Sequence, residues 1–215
     1  AVDQILPMVE KDDMETLTAA MQNDPTADQV TLFTCTPYGV NSHRLLVRGS
    51  RLISSYEAAI EPLTPEDFTA EWEKAQAFNQ SFTENNLYGD VFGADDQNLQ
   101  DMEYWKVLNV AGDGVMGYLS IPKIHVRLAI YHGTGEEVLQ TGVGHMNGTK
   151  LPIGGVGTHS VLAAHRGLPS ARLFTDIDQL QIGDQFYIHI LDETLAYAVD
   201  QILPMVEKDD METLT

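Results

Sequence analysis

The two ends of this chain are the same. Residues 1–18 read AVDQILPMVEKDDMETLT, and residues 198–215 repeat them without a mismatch. No other stretch recurs, so the duplication is not the short period of a solenoid. A natural repeat of this length diverges, and this one has not, which marks a stitched chain. Ala1 to Leu6 reads as a strand that Pro7 breaks, and one sheet has room for one copy of it. The C-terminal copy continues from a strand at Thr194 to Tyr197, and the N-terminal copy leads on into Ala19. Both junctions are natural, so the chain reads as a circular permutant with overlapping ends.

Between the copies the strand signals are short and many. Val30 to Phe33, Leu45 to Val47, Met116 to Ile121, Val126 to Tyr131, Thr158 to Ala164, Gln185 to Leu191 and Thr194 to Ile202 are apolar and rich in β-branched or aromatic residues. The last two form a hairpin around Asp192-Glu193. Thr64-Pro65-Glu66-Asp67 is a helix start, with a hydroxyl cap, a proline and first-turn acids. Phe68, Trp72, Ala75, Phe78 and Phe82 follow at helical spacing and give that helix one packing face. A short helix is expected around Glu15 to Met21 and a helical turn within Ala171 to Leu180. Asn85 to Asp113 is an Asn/Asp/Gly-rich loop, long enough to act as a lid. Many short strands and few helices indicate a β-barrel or sandwich.

Composition excludes some functions. Acids outnumber bases 32 to 12, a net charge of −20, which disfavours nucleic acid. The chain has one cysteine, so it holds no internal disulfide, and no Cys/His cluster has zinc-ligand spacing. Neither a metal nor a cofactor is expected. Leu151-Pro-Ile-Gly-Gly-Val-Gly157 lacks the spacing of a phosphate loop. The longest apolar runs fall far short of the roughly 20 residues that span a bilayer. Membrane tethers of the natural protein are expected outside this chain.

The lone cysteine, Cys35, ends the first of two strands joined by turn residues Pro37-Tyr38-Gly39 and Asn41. Arg44 starts the second. An antiparallel pair would set thiol and guanidinium side by side, and a thiolate needs such a neighbour to be populated near neutral pH. A lone cysteine is more often simply buried. Candidate bases are His43, His125, His132, His145, His159, His165 and His189. His159 lies inside its strand, whereas His165 sits at the strand end, where a side chain meets solvent. A Cys–His pair suggests acyl transfer, with Arg44 holding the oxyanion.

Thr34-Cys35-Thr36-Pro37-Tyr38-Gly39-Val40-Asn41-Ser42-His43-Arg44-Leu45-Leu46-Val47-Arg48-Gly49 closely resembles the active-site segment of class C, pilin-polymerising sortases. So does Ala164-His165-Arg166-Gly167-Leu168-Pro169-Ser170-Ala171. Met116-Gly117-Tyr118, Ile121-Pro122-Lys123-Ile124, Ile130-Tyr131-His132-Gly133-Thr134 and Leu151-Pro152-Ile153-Gly154-Gly155 also match. The order is rotated: the family places the cysteine segment near its end. Here Arg51 to Tyr56 joins the family's end to its start.

The resemblance implies a mainly β, closed eight-stranded barrel with short helices, an N-terminal-type helix and a lid loop. Within one domain, 1–51 would carry barrel strands with Cys35 and Arg44, and 56–113 the helix and lid. Residues 114–202 would carry the strands with His165, and 198–215 repeat 1–18. Cys35 would attack the Thr–Gly carbonyl of an LPxTG-like sorting signal and form a thioacyl-enzyme. His165 would protonate the leaving amine and Arg44 hold the oxyanion. The acceptor would be a lysine amine of a pilin, at the outer face of a Gram-positive membrane. Anchoring to peptidoglycan, hydrolysis of the signal, and a non-catalytic strand-exchange scaffold are the alternatives. The family's lid motif falls on Asp90-Val91-Phe92, where Asp90 would pair with Arg44 and Phe92 cover Cys35. An ordinary thiol and imidazole at pH 7 are both charged in only on the order of a percent of molecules, so a bell-shaped pH–rate profile is expected. The duplicated ends also permit strand-swapped dimers.

Overall fold

The computed structural model describes residues 9–10, 26–36, 43–52, 68–81, 103–168 and 171–203. Eleven strands are present among them: β1 (Val9–Glu10), β2 (Asp28–Thr36), β3 (His43–Arg51), β4 (Val115–Ile121), β5 (Val126–His132), β6 (Val143–His145), β7 (Thr158–Ala163), β8 (Arg166–Leu168), β9 (Ala171–Leu173), β10 (Gln185–Ile190) and β11 (Glu193–Leu203). Two α-helices, α1 (Thr69–Ser81) and α2 (Glu136–Thr141), accompany them.

The strands follow one another as β3-β11-β10-β4-β5-β6-β7-β2, and β2 pairs back onto β3. Eight strands therefore close a barrel and remove the open edges that a flat sheet leaves. Most pairs are antiparallel, but β2 with β7 and β5 with β6 run parallel. The outlying β8–β9 hairpin forms its own small sheet. The core includes Leu32, Phe33, Leu119, Ile130, Leu162, Phe186 and Ile188, all fully buried. Val30 to Thr34 of β2 is buried at every position. That strand is covered on both faces, which explains its continuous apolar run where a half-exposed strand alternates.

The expected helix is present as α1. Ala75 is buried, and Trp72 and Phe78 pack against the core. Asn79, also buried, clamps the helix to the barrel: its amide bonds both the carbonyl and the N–H of Leu151. The hairpin around Asp192-Glu193 is β10–β11, with six residue pairs in register. The expected turn in Ala171 to Leu180 is a 3-10 turn at Ile177–Gln179, preceded by β9. The end of the long polar stretch differs from the expected free loop. Tyr104 and Leu108 are buried, and the Tyr104 hydroxyl accepts the Gly133 N–H at 2.9 Å. Two aromatic and aliphatic anchors thus dock residues 103–108 onto the barrel. The expected strand at Ala1 to Leu6, the helix around Glu15 to Met21, the cap at Thr64-Pro65 and the lid candidates Asp90 and Phe92 lie outside the described residues.

Candidate active site

Cys35 stands on β2 directly opposite Arg44 on β3, in an antiparallel register of eight pairs that runs from Gln29↔Ser50 to Thr36↔His43. On its other side β2 pairs in parallel with β7, as far as Phe33↔Ala163. The two chains then continue together. Ala164 N–H donates to the Phe33 carbonyl at 3.2 Å, and Thr34 Oγ1 donates to the Ala164 carbonyl at 2.9 Å. The same offset, extended past the last hydrogen-bonded residues, would bring His165 level with Cys35. The neighbouring segments at this end of the barrel are therefore the end of β7, β2 and β3. The structure pairs Cys35 with Arg44 and runs the end of β7, which leads to His165, alongside β2; the side chains of Cys35 and Arg44 lie outside the described part.

His165 is fixed by its surroundings. Its carbonyl accepts the Phe174 N–H at 3.1 Å, and Phe174 is fully buried. Arg166 Nε donates to the Thr175 carbonyl, and its guanidinium pairs with Asp178. The β8–β9 hairpin thereby holds the segment that leaves β7. The imidazole, 19% exposed, places Nε2 3.3 Å from the Glu136 carboxylate at the start of α2. Glu136 carried no sequence signal, being one acid among 32.

The remaining histidines separate by environment. His145 is fully buried, and burial pushes its pKa down to about 4, against the bond to the Lys150 carbonyl. His132 is buried with its two ring nitrogens 2.9 and 2.8 Å from the carbonyls of Gly114 and Val107. His159 is buried against Thr31 Oγ1 at 2.8 Å. His189 stacks on Tyr118 with ring centroids 4.0 Å apart, and burial, then Arg127, pushes its pKa down. His125 ends the 3-10 turn Pro122–Ile124 in a left-handed conformation. The first four have partners in the fold, and none of the five is near Cys35 in register; His43, opposite Thr36 on β3, is next to it, and its side chain lies outside the described part. Among the described residues no cluster of His, Cys, Asp or Glu is fit to hold a metal.

This geometry meets known proteins in two ways. A family model described as the sortase domain matches residues 119–215. Sortase C-1 from Streptococcus pneumoniae is 44% identical, with a TM-score of 0.58, over 64% of this chain and 70% of that one. The chain belongs to the sortase family.

Other sortases are similar. Sortase C1 from Streptococcus agalactiae is 43% identical with a TM-score of 0.57, over 71% of this chain and 76% of that one. A further sortase C structure from Streptococcus pneumoniae, whose title refers to catalysis and pilin substrate specificity, is 42% identical with a TM-score of 0.55, over 62% and 65%. No curated protein matches the chain. The sortase is thus a cysteine transpeptidase with the closed eight-stranded barrel of its class C neighbours. Sortases are cell-surface enzymes of Gram-positive bacteria; among the described residues no helix is long and apolar enough to cross a membrane.

Proposed function

We propose that this sortase polymerises pilins. It cleaves an LPxTG-like sorting signal between Thr and Gly and joins the new acyl end to a lysine amine of a pilin subunit. The Cys35 thiolate attacks the Thr carbonyl carbon, and Arg44 compensates the charge that develops on its oxygen. The C–N bond to Gly breaks as the His165 imidazolium gives its proton to the departing amine. A thioacyl-enzyme remains. The lysine amine then attacks the thioester carbon, neutral His165 takes the proton, and the C–S bond breaks to release the isopeptide product. No oxidant or metal enters this balance.

The observation that carries the reading is the register: Cys35 opposite Arg44, with the β2–β7 ladder leading to His165. The class C neighbours favour the pilin acceptor. The experiment is incubation with an LPxTG peptide, with and without a pilin lysine-motif peptide, read by mass spectrometry. A ligated product and a thioacyl adduct that Cys35→Ala abolishes are expected. Unchanged turnover in His165→Ala removes the proton-transfer role. Hydrolysis alone, or transfer only to a glycine or peptidoglycan-type amine, points to the anchoring reading. A chain that forms no adduct is a scaffold.

Within this proposal the chain is permuted, and Asp90 and Phe92 form a lid over Cys35. The permuted order is supported by where the family match falls, on residues 119–215 and so through the second copy of the repeat, while Cys35 lies near the start. A second reading, strand exchange, has its own observation. Ala198 to Leu203 of the second copy pairs with β3 from Ser50 to Leu46. Val9 and Glu10 of the first copy take up the same edge of β3 at Arg44 and His43. The two copies take successive parts of one edge of β3, so an end borrowed from a neighbouring chain can take either part.

A further inference from the structure

Glu136 is held as a two-sided bridge. Its Oε1 accepts a hydrogen bond from Gln140 Nε2 at 2.7 Å, and its Oε2 lies 3.3 Å from His165 Nε2. The helix that carries it is short but well anchored. Leu139 is buried, and the α2 start follows the turn Gly133 to Gly135. Gly144 on β6 passes so close to that turn that a Cβ there would strike the Gly133 carbonyl and the Val138 side chain. The carboxylate is therefore positioned by packing from below and by Gln140 from the side, with one oxygen left for the imidazole.

We infer that Glu136 is a positioning residue for His165 that favours its imidazolium form and so enlarges the reactive thiolate–imidazolium population. This rests on the assignment of His165 made above. The protonated ring is the form that must hand a proton to the leaving amine, and a carboxylate within hydrogen-bond reach stabilises that form. The Glu136 carboxyl is held below the usual carboxylate range, first by the Gln140 amide and further by His165, against slight desolvation. It is thus an anion over the working pH range. Other charged or titratable groups on the described elements around His165 are the Cys35 thiol on β2, Glu137 on α2, Arg166 paired with Asp178, Arg172 paired with Asp176, and Arg44 on β3. The two arginine–aspartate pairs are internally compensated, and Arg44 opposes a second positive charge. Among the described residues, Glu136 is an acid in contact with the ring.

Glu136 is 67% exposed on its side chain, so the effect is modest. Exposed pairs of this kind are worth a two- to fivefold change, about the size of a fraction of one titration unit. The test compares wild type, Glu136→Gln and Glu137→Gln. Glu136→Gln is expected to lower kcat/KM about two- to fivefold with KM little changed, and to move the acid limb of the pH–rate profile to lower pH. Raising salt narrows the gap between wild type and Glu136→Gln, because the lost term is a screened charge. Glu137→Gln moves neither. NMR titration of the His165 ring supplies a readout that needs no turnover: its signal moves to lower pH in Glu136→Gln alone. If wild type fails to turn over peptide while the NMR shift persists, the functional reading falls and this one stands. If the His165 titration is the same in Glu136→Gln as in wild type, or Glu137→Gln moves it equally, the inference is overturned.

Discussion

Acid should unlock the barrel through His145. The ring is fully buried on β6, with Nε2 3.0 Å from the Lys150 carbonyl and Nδ1 3.0 Å from the Tyr104 hydroxyl. Burial pushes its pKa down from 6.5 to about 4. In the unfolded chain the ring protonates as pH falls below 6.5, while in the fold it stays neutral until about 4. The unfolded state therefore binds more protons across that window, and stability falls with falling pH through it. Above 6.5 the full contribution is present. Each unit of difference is worth about 1.4 kcal/mol, so the loss reaches about 2 kcal/mol at pH 5 and about 3 kcal/mol at pH 4. Out of the 5–15 kcal/mol typical of a domain, that is a large part. Urea unfolding at pH 7, 5 and 4 measures it, against His145→Gln as the non-titrating reference. Glu136 and Asp184, whose carboxyls are held low, also lose stability in acid; Asp28, raised chiefly by burial, works the other way. These groups are common to both proteins and cancel in the comparison. Wild type should lose about 3 kcal/mol more than the variant between pH 7 and pH 4. Parallel losses in the two proteins would refute the reasoning.

Two further outcomes follow from the proposed lid and the duplicated ends. Asp90→Ala should speed labelling of Cys35 by a thiol reagent, since the proposed lid loses the acid that would pair with Arg44; an unchanged rate argues against a lid at this place. Concentration-dependent sizing should show dimers that disappear when Ala1–Thr18 is deleted, and dimers that survive the deletion remove the exchange reading.

What was legible in the sequence was what sheet chemistry writes into local runs. β2, β4, β5, β7 and the β10–β11 hairpin announce themselves by β-branched and aromatic runs bounded by turns. The Cys35–Arg44 pairing was legible because a strand, a turn and a strand allow little else. His165 was separable from His159 because one ends its strand and the other does not. Other parts left no such trace. α2 spans Glu136–Thr141 and buries only Leu139, too short a helix to show a period. β6 is Val143–His145 with a glycine at its centre, which has no strand propensity of its own and pairs only because β5 and β7 flank it. The Glu136–His165 contact joins residues from α2 and the end of β7, a meeting made by the fold alone. Tyr104 and Leu108 sat in a polar stretch whose composition outweighed its two anchors.

The proposed permutation is compatible with the pairing of the site strands. Cys35 is placed by the eight-pair ladder to β3 and the six-pair ladder to β7. Neither ladder depends on which residue comes first in the chain. Under the proposed permutation the cut falls instead on the far edge of β3, where β11 ends at Leu203↔Leu46 and β1 begins at Val9↔Arg44. The discontinuity therefore borders Arg44 and leaves the Cys35–His165 side whole. Of the three residues, Arg44 is the one that borders the repeat, through Val9, so under the proposed function the duplication reaches the site at that residue.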